Sequence, residues 1–195
     1  MTELPAAFRP ATTDDAADMA ELVNIAGHGL PLYLWGKTAR PEQSAWDVGR
    51  ERARHGTGGF AFRNTVVREV DGKVAACLIG YALVEKPGPI DDDVPPMLVP
   101  LLELENEVPG TWYINVLATY PEYRGAGYGS ELLGIAETLA IETECRGMSL
   151  ITSDSNVGAR RLYERAGYRE FAMRPILKES WEHSGVNWVL MLKKL

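Results

Sequence analysis

Cysteine is scarce. Cys77 and Cys145 are the two in 195 residues, far apart and both in apolar contexts. That excludes a disulfide framework and suits small core or near-surface thiols in a reducing compartment. Histidine is scarce too: His28, His55 and His183 stand alone, none with a metal-ligand neighbour at the usual short spacing. No metal site is expected from them. No uninterrupted apolar run approaches the roughly 20 residues that span a bilayer. Met1 to Pro10 lack the charged-then-apolar pattern of a secretory leader. A cytoplasmic protein with no membrane partner is the expectation. Positive charge is in deficit, and a net charge of −7 argues against nucleic acid as a general partner. There is no G-x-S-x-G elbow and no Ser/His pairing of the hydrolase kind.

What is present begins with charge placement. Residues 85–107 carry Glu85, Asp91, Asp92, Asp93, Glu103, Glu105 and Glu107 against Lys86 alone, so nearly all of the net charge sits in one segment. A chain of this length buries about 70% of its unfolded surface. One domain over 1–195, with a core that needs no staples, is therefore expected.

The densest signal is Arg124-Gly125-Ala126-Gly127-Tyr128-Gly129, between an apolar run (112–118) and an amphipathic one (130–146). Glycines in a strand-to-helix turn let backbone N–H groups approach an anion, and the helix adds its positive end. A Walker A loop would end in Gly-Lys-Ser/Thr, which is missing here. A dinucleotide fingerprint would read G-x-G-x-x-G near the first strand, whereas the spacing here is G-x-G-x-G past mid-chain. R-x-x-G-x-G, with Arg124, Gly127 and Gly129 in the fixed places, is the remaining pattern. From these residues alone, a Gly-rich turn without a ligand stays open as the alternative.

A second segment follows at Asn156-Val157-Gly158-Ala159-Arg160-Arg161-Leu162-Tyr163-Glu164-Arg165-Ala166-Gly167-Tyr168. It resembles the N-x-x-A-x-x-L-Y-x-x-x-G-F/Y signature of the GNAT superfamily of N-acetyltransferases. The stretch Leu117 to Gly129 resembles the acetyl-CoA loop of the same superfamily. The motif-level resemblance covers 111–171, the cofactor-binding core. Residues 1–110, the acceptor-side half, fit by element pattern. Thr119 departs from the usual Val, a β-branched swap that keeps strand shape.

The element pattern reads as follows. A strand at 8–11 precedes a helix capped at Thr12 or Thr13, with Ala16, Met19, Ala20, Val23 and Ala26 on one face, stopped by Gly27 and Gly29. Residues 30–60 are less legible, with a helix starting near Pro41; the resemblance places this region over the acceptor entrance. Strands at 65–70 and 74–84 join through Asp71-Gly72. The proline-rich stretch 86–100 is irregular and leads to a helical turn at 101–104. Further strands fall at 111–119, 148–152, 170–176 and 188–193. Helices fall at 130–146 and 157–166. The fold class is α/β: a mixed sheet of six to seven strands with helices on both faces.

The resemblance implies acetyl-CoA as co-substrate, with no metal. The pyrophosphate would meet the backbone of Arg124, Gly125, Ala126, Gly127, Tyr128 and Gly129, and Ser130 would add a hydroxyl. Leu117, Ala118 and Thr119 would bond the pantetheine arm, with Leu117 N–H as oxyanion donor. Asn156 and Ala159 match cofactor positions, though Asn156 also suits a helix N-cap. Tyr163 matches the general acid, with a core aromatic as the alternative. Tyr128 and Tyr168 also suit packing. Among the acidic residues before the cofactor strand, Glu105 is the candidate base, flanked by Leu104 and Asn106. A solvated acidic face is the alternative, and an amine can also deprotonate in bulk solvent. The expected reaction is direct acetyl transfer to a primary amine, with the acidic segment favouring a small cationic acceptor. A protein N-terminus or lysine, or a non-catalytic acyl-CoA-binding module, are the alternatives. The oligomeric state, monomer or homodimer, stays open.

Overall fold

A short strand, β1 (Phe8–Pro10), opens the computed structural model, which describes residues 4–195. Thr12 and Asp15 then close a capping box, and α1 (Ala16–Ala26) follows. Asp15 is a buried carboxylate, answered by both terminal nitrogens of Arg9 at 2.8 Å. Residues 30–60 hold two helices, α2 (Leu30–Thr38) and α3 (Ala45–Arg54). The helix expected near Pro41 starts four residues later. Ser44 is its cap, with Asp47 N–H bonding Ser44 Oγ at 3.1 Å, and Pro41 lies in the preceding turn. β2 (Thr65–Val70) and β3 (Lys73–Ala82) form a hairpin, with Asp71 and Gly72 at φ of 49° and 74°. Two left-handed residues match the twist of the flanking strands.

The acidic segment is more regular than expected. A 3-10 turn at Pro96–Leu98 feeds α4 (Val99–Asn106), longer than the expected turn at 101–104. Pro100 sits in its first turn, where no N–H is needed for the helix ladder. The chain continues through β4 (Trp112–Thr119), α5 (Tyr128–Glu142), β5 (Gly147–Ser153), α6 (Val157–Arg165), β6 (Arg169–Pro175) and β7 (Asn187–Lys194). The strands are ordered β1-β2-β3-β4-β5-β7-β6 in one seven-stranded sheet. β4 and β5 run parallel, while β5 with β7 and β6 with β7 are antiparallel.

Contacts divide the chain into two compact units. The first holds the residues up to Gly80 and Asn115–Ile135. In it, α1, α2 and α3 bury Met19, Val23, Trp35 and Val48 with Val67, Cys77, Ile79, Val116 and Ala118 of the strands. Cys77 is fully enclosed, and burial pushes its thiol up to about 12, so it is an inert core residue.

The second unit holds Tyr81–Ile114 and Ala136–Leu195. Its strands carry helices on both faces. Arg174 of β6, cross-strand from Trp188, meets Glu103 and Glu107 of α4. Lys193 of β7, on the opposite face by strand alternation, meets Glu137 of α5 at 2.8 Å. α5 buries Leu132, Leu133, Ile135, Ala136 and Ala140, with Leu139 partly buried.

Candidate active site

In the first unit, β4 alternates. Val116 and Ala118 are buried against the helices, while Leu117 and Thr119 are half-buried on the other side. Tyr120 follows the strand and donates from its hydroxyl to Asp18, 2.9 Å away, which ties this end of β4 to α1. A 3-10 turn at Pro121–Tyr123 leads into the glycine loop. Arg124 N–H donates to Pro121 O at 3.3 Å, so this amide is engaged in the turn and the loop amides begin at Gly125. Arg124 Nε reaches Thr119 O, also at 3.3 Å.

Gly125 and Gly127 have φ of 81° and 90°, and a Cβ at either would meet nothing within 4 Å. The loop therefore needs glycine for its backbone turn and has open space above it. Gly127 O accepts from Ser130 N–H at 2.9 Å and Glu131 N–H at 3.2 Å, which starts α5. Ala126 and Ser130 are exposed, and Gly129 is half-exposed. Positive-φ glycines, an exposed loop and a helix N-terminus behind it fit a pyrophosphate.

The mouth of this helix is braced by Arg68 of β2, which sequence reading missed. Its guanidinium lies 3.5 Å from the Tyr128 ring centroid, and its Nε bonds Glu131 at 3.0 Å. Tyr128 thus has a packing partner, as its aromatic character suggested. Arg68 sits some sixty residues upstream in a strand, and nothing local in the sequence marks it. His28, in the same unit, has its pKa lowered by burial and by the charge of Arg124.

In the second unit, Asn156 caps α6, its Oδ1 accepting from Ala159 N–H at 3.3 Å. The capping role is therefore filled. Tyr163 is buried, with its ring 6.0 Å from that of Tyr168 and at 61° to it. Burial pushes its phenol up to about 12, so it is a neutral donor throughout the physiological range. Tyr168 in turn donates to Met148 Sδ at 3.6 Å.

The three glutamates of α4 have different environments. Glu103 bonds Arg174 Nε at 3.1 Å, and Glu107 bonds the same guanidinium. These two are four residues apart and share a helix face. Glu105 lies on the other side of α4, near the Tyr113 hydroxyl of β4. Burial raises its carboxyl to about 7, partly opposed by that hydroxyl. Glu105 approaches the sheet from the Tyr113 face. Tyr163 lies, through Tyr168 and Met148, on the face opposite. Among the described residues no group of three or more His, Cys, Asp or Glu could hold a metal ion. No helix there is long and apolar enough to cross a membrane.

Residues 28–168 match the model of the acetyltransferase (GNAT) family. The chain belongs to that family. It is an acyltransferase, as its relatives' names also indicate. An uncharacterized N-acetyltransferase of Methanocaldococcus jannaschii is 38% identical over 86 residues, covering 44% of this chain and 53% of that protein. The S-alkylcysteine N-acetyltransferase of Bacillus subtilis is 26% identical over 170 residues, covering 84% of this chain and 79% of that protein. The crystal structure of an N-acetyltransferase from Staphylococcus aureus Mu50 superposes with a TM-score of 0.64 at 21% identity, covering 96% of this chain and 100% of that one. That likeness bears out the mixed sheet expected from the sequence.

Proposed function

We propose that this acetyltransferase uses acetyl-CoA as donor and the primary amine of a small molecule as acceptor, in one catalytic domain and by direct attack in a ternary complex. The observation that carries this reading is the open glycine loop before α5, with Gly125 and Gly127 at φ of 81° and 90° and nothing within 4 Å of where a Cβ would stand; Glu105, which burial raises to about 7, adds a candidate base. A general base works best with a pKa near the operating pH.

Acetyl-CoA supplies an activated acyl group. Gly125 to Gly129 would hold its pyrophosphate by backbone amides, with Ser130 and the start of α5 behind them. Leu117, Ala118 and Thr119 offer strand backbone to the extended arm. Glu105 takes the proton that the attacking amine must lose. Tyr163 holds a proton at its hydroxyl for the leaving sulfur. The name of the Bacillus subtilis relative supports including amino-acid derivatives, beside cationic amines, among the acceptors to try first.

The test is thiol release from acetyl-CoA across a panel of polyamines, aminoglycosides, amino-acid derivatives and peptides with free N-termini or lysines. A small-molecule acceptor should be turned over. Tyr163→Phe should lower kcat by roughly 10²–10⁴-fold with little change in acetyl-CoA affinity. Turnover of peptides alone would overturn the acceptor class. A kcat within about threefold of the parent would make Tyr163 a packing residue.

A further inference from the structure

Residues 125–129 read Gly-Ala-Gly-Tyr-Gly, so Tyr128 is the one side chain larger than a methyl that can tether this stretch. Glycine leaves the chain more freedom to lose than any other residue, and loose amides must be ordered before they hold an anion. The tether of Tyr128 is Arg68. β2 alternates: Val67 is buried among α1, α2 and α3, which puts Arg68 on the sheet face toward α5. The Arg68 guanidinium carbon lies 3.5 Å from the Tyr128 ring centroid and 5.6 Å from that of Phe8, its cross-strand neighbour on β1. Nη1 donates to Glu69 O at 3.0 Å. The Arg68 side chain is only 16% exposed, so its contacts are largely sheltered from solvent screening.

Glu131 gives Arg68 a second task. It stands in the first turn of α5, where a carboxylate suits the helix dipole but opposes an incoming anion. Arg68 Nε donates to Glu131 Oε2 at 3.0 Å. Tyr128 and Glu131 are three residues apart and share a helix face, so one guanidinium serves both. A planar guanidinium can stack on a ring and hydrogen-bond from its edge at the same time, which an ammonium cannot.

We propose that Arg68 is a positioning residue for the diphosphate of acetyl-CoA. It pins the glycine loop through Tyr128 and neutralises Glu131, so the loop amides stand fixed and the opening of α5 stays positive for the anion. This rests on the reading of Gly125 to Gly129 as the cofactor loop.

Calorimetry with acetyl-CoA at low ionic strength tests it. Arg68→Gln should weaken binding about tenfold. Adding Glu131→Gln to that variant should win back at least about threefold, because the uncompensated carboxylate is gone. S-acetylpantetheine, which carries the same thioester without the diphosphate, should bind Arg68→Gln as it binds the parent. Three outcomes overturn the proposal: parental acetyl-CoA affinity in Arg68→Gln, a double variant no tighter than the single one, or an equal loss for both donors. A merely structural role gives the last two. If Arg68→Gln does not fold, Glu131→Gln alone decides. With Arg68 left in place it should tighten acetyl-CoA binding about threefold, and unchanged or weaker binding overturns the proposal. Gly127→Val separates the proposal from the reading beneath it. Parental affinity there takes the loop out of cofactor binding, and both fall. Lost affinity there with parental affinity in Arg68→Gln leaves the loop in place and removes only the role of Arg68.

Discussion

At the scale of single residues, the placement of Glu105 carries a cost in stability. Its carboxyl titrates near 7 in the folded chain against 4.5 for the ordinary group. Between those values the folded state binds more protons than the unfolded state, so stability is complete below about 4.5 and falls as pH rises through 7. The loss is on the order of 3 kcal/mol at 1.36 kcal/mol per pKa unit. Glu105→Gln keeps the shape and never ionises. Its Tm should exceed the parent's by at least about 3 °C at pH 8 and match it near pH 4. A Tm difference that does not change with pH would place the Glu105 carboxyl in water. Sequence reading singled out this residue from its flanking Leu104 and Asn106. It could not supply the reason, because the groups that distinguish Glu105 from Glu103 and Glu107 come from other strands. Tyr113 and Arg174 decide it. The same limit hid Arg68, whose partners Tyr128 and Glu131 lie far away in sequence. Local patterns did show Asn156 as a cap, Asp71-Gly72 as a turn, and the glycine loop, since each is fixed by its own backbone.

At the scale of elements, the junction of β4 and α5 is the part most completely written in the sequence. Its strand alternation, turn and helix start all depend on neighbours in the chain. Gly127 is the most demanding position. Its φ of 90° disfavours any side chain, and the space above it is where a phosphate would sit. Gly127→Val should weaken acetyl-CoA binding at least tenfold by calorimetry, about 1.4 kcal/mol. The circular dichroism spectrum should remain that of the parent. Unchanged affinity in the folded variant would remove the loop from cofactor binding. α4 marks the opposite case. Its five nearby prolines suggested irregular chain, yet Pro96 and Pro100 each stand at the opening of a helical turn, where proline fits. The helix exists because Pro100 and Leu104 are buried and Arg174 grips its outer side. Those are contacts between elements, which no local propensity encodes.

At the scale of the whole molecule, net charge misled in one respect. The acidic segment carries almost all of the −7, and its sum suggests a field drawing cations. The fold spends part of that field internally. Arg174 answers Glu103 and Glu107, and Arg146 lies 3.8 Å from Glu85. What remains facing solvent is Asp91, Asp92 and Asp93, all exposed. If long-range attraction serves the acceptor, it resides in these three and not in the α4 pair. Exposed charges act through a screening length of about 10 Å at 0.1 M salt and 3 Å at 1 M. Changing Asp91, Asp92 and Asp93 together to Asn should raise KM for a polyamine several-fold at low ionic strength. The difference should vanish near 1 M salt, and kcat and Tm should stay at parental values. Glu103→Gln with Glu107→Gln should behave differently: it frees Arg174, loosens α4 and lowers kcat through Glu105 at every salt concentration. A triple Asn variant with parental KM at low salt, on a polyamine the enzyme demonstrably turns over, would mean that the acidic loop plays no part in recruiting the acceptor. Selection would then rest on short-range contacts alone.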